Sequence, residues 1–135
     1  MILSDTSATL AILYNEPEAS YFLDFLEYNE VALPASVLVE AGILATRHGK
    51  QEQWQRLLAS LGATIISLDE AIARKAVIAF EQYGKGRHKA SLNFGDCLVY
   101  ATAKHLDLPL LYKGNDFPHT DVRSPGLPPV HATLP

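Results

Sequence analysis

At 135 residues, the chain is long enough for one real hydrophobic core and too short for two comfortable ones. An apolar share of 48% and a charged share of 19% describe an ordinary soluble globular protein, and a net charge of −4 argues against a sequence-independent nucleic-acid coat, which would be basic. No apolar run approaches the ~20 residues of a membrane span and Met1 to Asp5 has no basic leader, so a cytoplasmic protein without membrane attachment is expected.

Ile2 to Ser4 reads as a short strand, and Asp5-Thr6-Ser7 ends it and opens a helix carrying Leu10, Leu13 and Tyr14. Asp5 therefore falls at the carboxyl end of the first strand, where its ordinary role is a helix N-cap. After the Asn15-Glu16-Pro17 break, a second helix from about Glu18 turns Phe22, Leu23, Phe25 and Leu26 to one face. Val31 to Leu33 is the second strand, and Pro34-Ala35-Ser36 opens a third helix through Ala45 with Val37, Leu38, Ala41, Leu44 and Ala45 as its apolar stripe. At helical pitch Glu40 lies about 40° from Leu44 and about 60° from Val37, which sets it within that stripe. Arg47 to Lys50 makes a turn, and Gln51 to Leu61 forms a fourth helix with Trp54, Leu57, Leu58 and Leu61 inward.

Thr64 to Ile66 is the third strand, and Ser67-Leu68-Asp69-Glu70 reads as a capping box, with Asp69 assigned to cap chemistry, for a helix carrying Ala73, Ala76, Val77 and Phe80. The glycine-spaced basic run from Tyr83 to Lys89 leads into a further helix on which Leu92, Asp96, Val99, Tyr100 and Ala103 share a face. Cys97 in that helix is the single cysteine, so no intramolecular disulfide is available, and it reads as a small core side chain. Asn93 and Asp96 have capping-box spacing. Leu108 to Tyr112 is a buried strand ending in the Lys113-Gly114-Asn115-Asp116 turn, and residues 118–123 are irregular or one short edge strand. Ser124 to Pro135 reads as a loosely packed tail in which Val130 adds a last edge strand. The five histidines show no metal-ligand spacing.

Strands alternating with helix pairs describe a three-layer α/β domain with a mainly parallel central sheet flanked by helices. In such sheets ligands bind outside the carboxyl ends of the strands, and Asp5, Glu40, Asp96 and Asp116 arrive there from four separate segments. Capping or turn formation explains any one of them, but not all four together. Two carboxylates ~6 Å apart repel by roughly 3 kcal/mol at an effective dielectric near 20, so such a cluster takes up protons or holds a cation. Oxygen ligands without Cys or His point to Mg2+ or Mn2+, the ions that activate water against a phosphodiester.

The segments Ile2 to Ala8 (ILSDTSA), Ser36 to Gly42 (SVLVEAG), Leu92 to Tyr100 (LNFGDCLVY) and Leu110 to Phe117 (LLYKGNDF), with Thr120-Asp121 beyond, resemble the PIN-domain ribonucleases, and most of all the VapC-type toxins of toxin–antitoxin pairs. The resemblance spans nearly the whole chain as a single PIN domain. Ser4 stands where that family often has an apolar residue and Thr9 where an aliphatic one is common, and neither touches the acids. The resemblance implies Mg2+- or Mn2+-dependent cleavage of single-stranded regions of RNA. Asp5, Asp96 and Asp116 are then expected to contact the metal, Glu40 to act through a water, and Asp121 to assist from an outer shell. It further implies a homodimer and a small VapB-type antitoxin that occupies the active-site groove and binds operator DNA with its other end.

Four carboxylates repel a polyanion, so cations must lie beside them, and Lys85, Arg87 and Lys89 are the densest positive charge in the chain. The ordinary reading of that loop is a solvated connector. A response-regulator receiver would need a second acid after the first strand, and a haloacid-dehalogenase-type phosphatase would need Asp where Ser7 stands. The remaining alternative is a catalytically silent PIN-like module that binds RNA or a partner. That reading usually goes with a missing acid, and none is missing.

Overall fold

The computed structural model describes residues 1–126. The elements are β1 (Ile2–Ser4), α1 (Thr6–Leu13), α2 (Ala19–Tyr28), β2 (Val31–Pro34), α3 (Ala35–Arg47), α4 (Gln51–Leu61), β3 (Thr64–Ile66), α5 (Glu70–Tyr83), α6 (Phe94–Leu106) and β4 (Leu110–Leu111), then a 3-10 turn at Phe117–His119. The strands form one sheet in the order β3-β2-β1-β4, with each neighbouring pair parallel. Leu3 is the hinge of the register, opposite Ala32 on one side and Leu110 on the other. Since every strand points the same way, the chain leaves the sheet at one edge each time, and the residues following β1, β2 and β4 are brought together there.

The two middle strands, apolar but for Ser4 at the end of β1, are buried along their whole length. At one border β3 is largely open to solvent. At the other, β4 is buried because the segment after the 3-10 turn folds back beside it, where the Arg123 carbonyl accepts the Leu110 N–H at 2.8 Å. The proposed strand at Val130, with most of the tail, lies outside the described residues.

The main core gathers Leu3, Leu33, Leu110, Phe25, Val37, Ile72 and Leu92, all fully buried. A smaller cluster of Ala41, Ala45 and Trp54 joins α3 to α4 and receives Leu10 and Leu13 from α1. Buried polar groups are satisfied locally: Thr9 Oγ1 donates to the Thr6 carbonyl at 2.9 Å and Ser4 Oγ to the Asp5 carbonyl at 3.1 Å.

Two expectations need correcting. The cap of α5 is Asp69, whose side chain accepts the Ile72 N–H at 2.9 Å, so the Ser67 capping box does not form. The inward stripe of α5 is Ile72, Ala76 and Ala79, not one that includes Val77 and Phe80. α5 packs on α6, and the small Ala76 and Ala79 allow the two backbones to close, which rotates Val77, 62% exposed, and Phe80 to the flank. Together with Val39, Ile43, Leu68 and Phe94 these make a run of exposed large apolar side chains.

The basic loop is fastened at its root. Gly84 and Leu92 form a parallel bridge, the Lys85 N–H donates to the Leu92 carbonyl at 2.9 Å, and the His88 ring sits edge-on to Tyr83. A Cβ on Gly84 would lie 2.4 Å from the Phe80 carbonyl oxygen and 2.5 Å from its ring. Gly84→Ala is therefore expected to lower stability by about 1–3 kcal/mol in urea unfolding, as overpacking does. Gly49 has a positive φ but open space around it, so Gly49→Ala is expected to cost about 1 kcal/mol or less.

Candidate active site

Asp5 is placed by the sheet itself. Its N–H donates to the Leu111 carbonyl at 2.9 Å, which ties the end of β1 to the end of β4, and its side chain caps α1. Oδ2 accepts from both the Ser7 N–H at 3.1 Å and the Ser7 hydroxyl at 2.6 Å. Ser7 in turn accepts the Lys113 N–H at 2.9 Å, so one hydroxyl holds Asp5 and the chain leaving β4 in register. Asp5 is only 6% exposed. Burial raises its pKa above the ordinary carboxylate value, against the lowering by the Ser7 hydrogen bonds, and the charge of Glu40 raises it further.

Asp96 sits one turn into α6 and does two things at once. It completes a capping box: its N–H donates to Asn93 Oδ1 at 2.8 Å while its Oδ2 accepts the Asn93 N–H at 3.1 Å. Its pKa is nevertheless raised to about 6, first by burial and then by the charges of Asp5, Asp116 and Glu40, with the Asn93 bond opposing them. Four carboxylates from four segments thus share one field. Asp116 is exposed, in the turn just before the 3-10 helix.

Glu40 is not in the buried stripe of α3. That stripe is Val37, Ala41 and Ala45, and Glu40 stands on an exposed face, directed at the first turn of α6. The period of α3 places Glu40 beside Val37 and Leu44, but the wall it meets belongs to a different helix. Gly95 makes room for it: a Cβ there would lie 2.9 Å from Glu40 Oε2. Gly95 and Ser7 are the residues that sequence reasoning passed over. Their signals were a glycine inside a helix's first turn and a hydroxyl two residues after a capping Asp.

Asp121 is engaged by two side chains of α6, Tyr100 and Lys104. It accepts a hydrogen bond from the Tyr100 hydroxyl and pairs with Lys104 Nζ at 3.2 Å, contacts that lower its pKa. Lys113, beside Ser7, is held by Glu16 and Glu18 at 2.8 Å each. Lys85, Arg87 and Lys89 are exposed, and among the described residues none of the three takes part in an ion pair.

The donor set is all carboxylate oxygen, which suits a hard divalent cation in chemistry. As placed, repelling groups stand apart: among the described residues no three His, Cys, Asp or Glu side chains are close enough together to hold an ion. Burial and like charge raise the pKa of Asp5 and Asp96, an energetic cost that a proton or a bound cation would each relieve.

The family model of the PIN domain matches residues 2–123. Ribonuclease VapC30 of Mycobacterium tuberculosis is 40% identical over 131 residues, covering 92% of this chain and 98% of that one. Among solved structures, a toxin-antitoxin complex from Klebsiella pneumoniae matches with a TM-score of 0.70 at 21% identity, over 87% of this chain and 90% of that one. Mycobacterium tuberculosis VapC20, described as a sarcin-ricin loop cleaving toxin, matches with a TM-score of 0.70 at 16% identity, over 91% and 99%. With the parallel sheet, the acids at its carboxyl edge and these relatives, the chain belongs to the PIN-domain family, among the VapC-type proteins.

Proposed function

We propose that the chain is an endoribonuclease, dependent on Mg2+ or Mn2+, that cleaves single-stranded regions of RNA and acts as the toxin of a type II toxin–antitoxin pair. The observation that carries this reading is the arrival of four acids from four segments at the carboxyl edge of the sheet, where Asp5, Asp116 and Glu40 all bear on Asp96. Asp5, Asp96 and Asp116 would hold the cation, and Glu40 would act through a water. A divalent cation in such a site lowers the pKa of water and stabilises developing charge on a phosphodiester. The chain's own part is to fix the carboxylates before substrate arrives. Ser7 holds one Asp5 oxygen with two hydrogen bonds, Asn93 holds one Asp96 oxygen, and Asp5 and Asp96 each stand at a helix N-terminus that favours the ionised form.

The RNA backbone is assigned to Lys85, Arg87 and Lys89, whose charges are unpaired among the described residues, whereas Lys104 and Lys113 are already held by acids. Asp121, tied to Tyr100 and Lys104, is assigned an outer-shell role and not direct contact with the cation. The proposed partners are a VapB-type antitoxin, operator DNA through that antitoxin, and a second copy in a twofold homodimer. The exposed apolar run beside the acids supports such association. A cytoplasmic setting is part of the proposal, and among the described residues no helix is long and apolar enough to cross a membrane.

Asp96→Asn tests the reading. It is expected to cut Mg2+-dependent RNA cleavage by about 100-fold or more while the protein stays folded. Cleavage at the wild-type rate in this variant would exclude Asp96 from the site.

The pH dependence follows with a definite sign. Folding raises the Asp96 pKa from 3.8 to about 6, so the metal-free native state binds more protons than the unfolded chain across that window, and stability is lost as pH rises through it. Asp96→Asn removes that loss. The metal-free variant is expected to melt with the wild type near pH 4 and ~3 °C above it at pH 7, read by circular dichroism.

For the loop, replacing Lys85, Arg87 and Lys89 together by Ala is expected to weaken RNA binding alike across sequences. The log–log salt slope should flatten by about two units, since each phosphate contact on a single strand contributes ~0.7. An unchanged slope would return the loop to a solvated connector.

A further inference from the structure

Gly95 is the second residue of α6, after the Asn93 cap and Phe94. A glycine there costs helix stability relative to alanine, and the usual reason for accepting that cost is absent. The glycines with positive φ are Gly49, Gly62, Gly86, Gly114 and Gly126, and Gly95 is not among them. Its backbone is one that any residue adopts. What sets it apart is its surroundings. An added Cβ would meet Glu40 Oε2 at 2.9 Å, with Asn93 Oδ1 next at 3.6 Å and Glu40 Cδ at 3.8 Å. The first of these is closer than real Cβ contacts come, and the atom is the end of a flexible side chain that can move away. Meanwhile the Glu40 charge acts on both Asp5 and Asp96, although Glu40 itself stands on an exposed face of α3.

We propose that Gly95 is a positioning residue for Glu40. By carrying no side chain it lets the Glu40 carboxylate lie against the first turn of α6, where the helix N-terminus attracts it, and so sets its spacing from Asp96 and Asp5. A methyl group at this position moves the carboxylate outward from α6 and opens the cluster that takes the cation. This inference rests on the reading of the acids as a cation site, and it concerns which residue fixes the fourth acid within that site.

The test compares wild type, Gly95→Ala, Glu40→Asp and the double variant, with Mn2+ alone as the calorimetric probe and RNA cleavage in Mg2+ as the second readout. Gly95→Ala should melt at or above the wild-type temperature, since alanine favours the helix and only a flexible carboxylate gives way. It should also bind Mn2+ about tenfold more weakly and cleave RNA about tenfold more slowly, the scale on which groups that orient metal ligands act. Shortening Glu40 by one methylene withdraws its carboxylate from the added methyl, so the double variant should bind Mn2+ more tightly than Gly95→Ala. A purely structural role for Gly95 predicts no such rescue. If wild type binds Mn2+ and cleaves RNA but Gly95→Ala matches it in both, the positioning role is wrong and the nuclease reading stands. If Gly95→Ala is impaired and Glu40→Asp adds a further independent loss, Gly95 serves close approach of the RNA backbone instead, and the inference is again overturned. If wild type binds no Mn2+ and leaves RNA intact, the reading of the site falls and this inference falls with it.

Discussion

The meeting of Asp5, Glu40, Asp96 and Asp116 at one edge of a parallel sheet, two of them desolvated there, is the constraint on which the site depends. The parallel sheet delivers the ends of β1, β2 and β4 to one edge, and α6 starts at that same edge because it must return to feed β4. Carboxylates that share one field, two of them desolvated, are tolerated only with compensation. Part of it is local: hydrogen bonds from Ser7 and Asn93, and the N-terminal ends of α1 and α6. The neighbouring cations do not supply the rest, since Lys113 is held by Glu16 and Glu18, and Lys104 by Asp121. Burial first, and the neighbouring charges after it, raise the pKa values of Asp5 and Asp96, the signature expected of a site that trades stability for function.

Much of this was legible in the chain. Short apolar runs separated by helix pairs lead directly to a parallel sheet, and acids following three strand ends lead to its carboxyl edge. Asp96 shows why one residue's spacing does not decide its role: the capping box is real, and the same half-buried carboxylate also feels the charges of three other acids. Neither role excludes the other, because a cap uses one oxygen. Misreadings arose where a second helix, not the helix's own period, decides orientation. Glu40 is placed by the first turn of α6, and Val77 and Phe80 by the close approach of α5 to α6 through alanines. The contacts of Asp121 with the Tyr100 hydroxyl and Lys104 on α6 are likewise set by a helix distant in sequence. Such contacts between distant segments leave no trace in local periodicity.

The exposed apolar run has a bearing on control. Phe94, 82% exposed, is the neighbour of Gly95, and Val39, Ile43 and Leu68 line the same open groove as Glu40 and Gly95. On the reading proposed here, an antitoxin segment seated in that groove would cover the acids as it buried the apolar side chains, so affinity and inhibition would come from one contact surface. The basic loop lies on the chain just ahead of the same α6 turn, which would leave RNA and antitoxin competing for one entrance.

The central claim, that Asp5 and Asp96, raised in pKa first by burial and then by neighbouring acids, would give up protons to a divalent cation, is tested most directly by the protons that leave when the cation binds. Calorimetric titration of Mn2+ into the protein, in buffers of different ionisation enthalpy, measures that release. With Asp96 titrating near 6, net proton release is expected at pH 6 and should fall toward zero by pH 8. Mn2+ binding at pH 6 without any proton release, or no binding at either pH, would contradict the account.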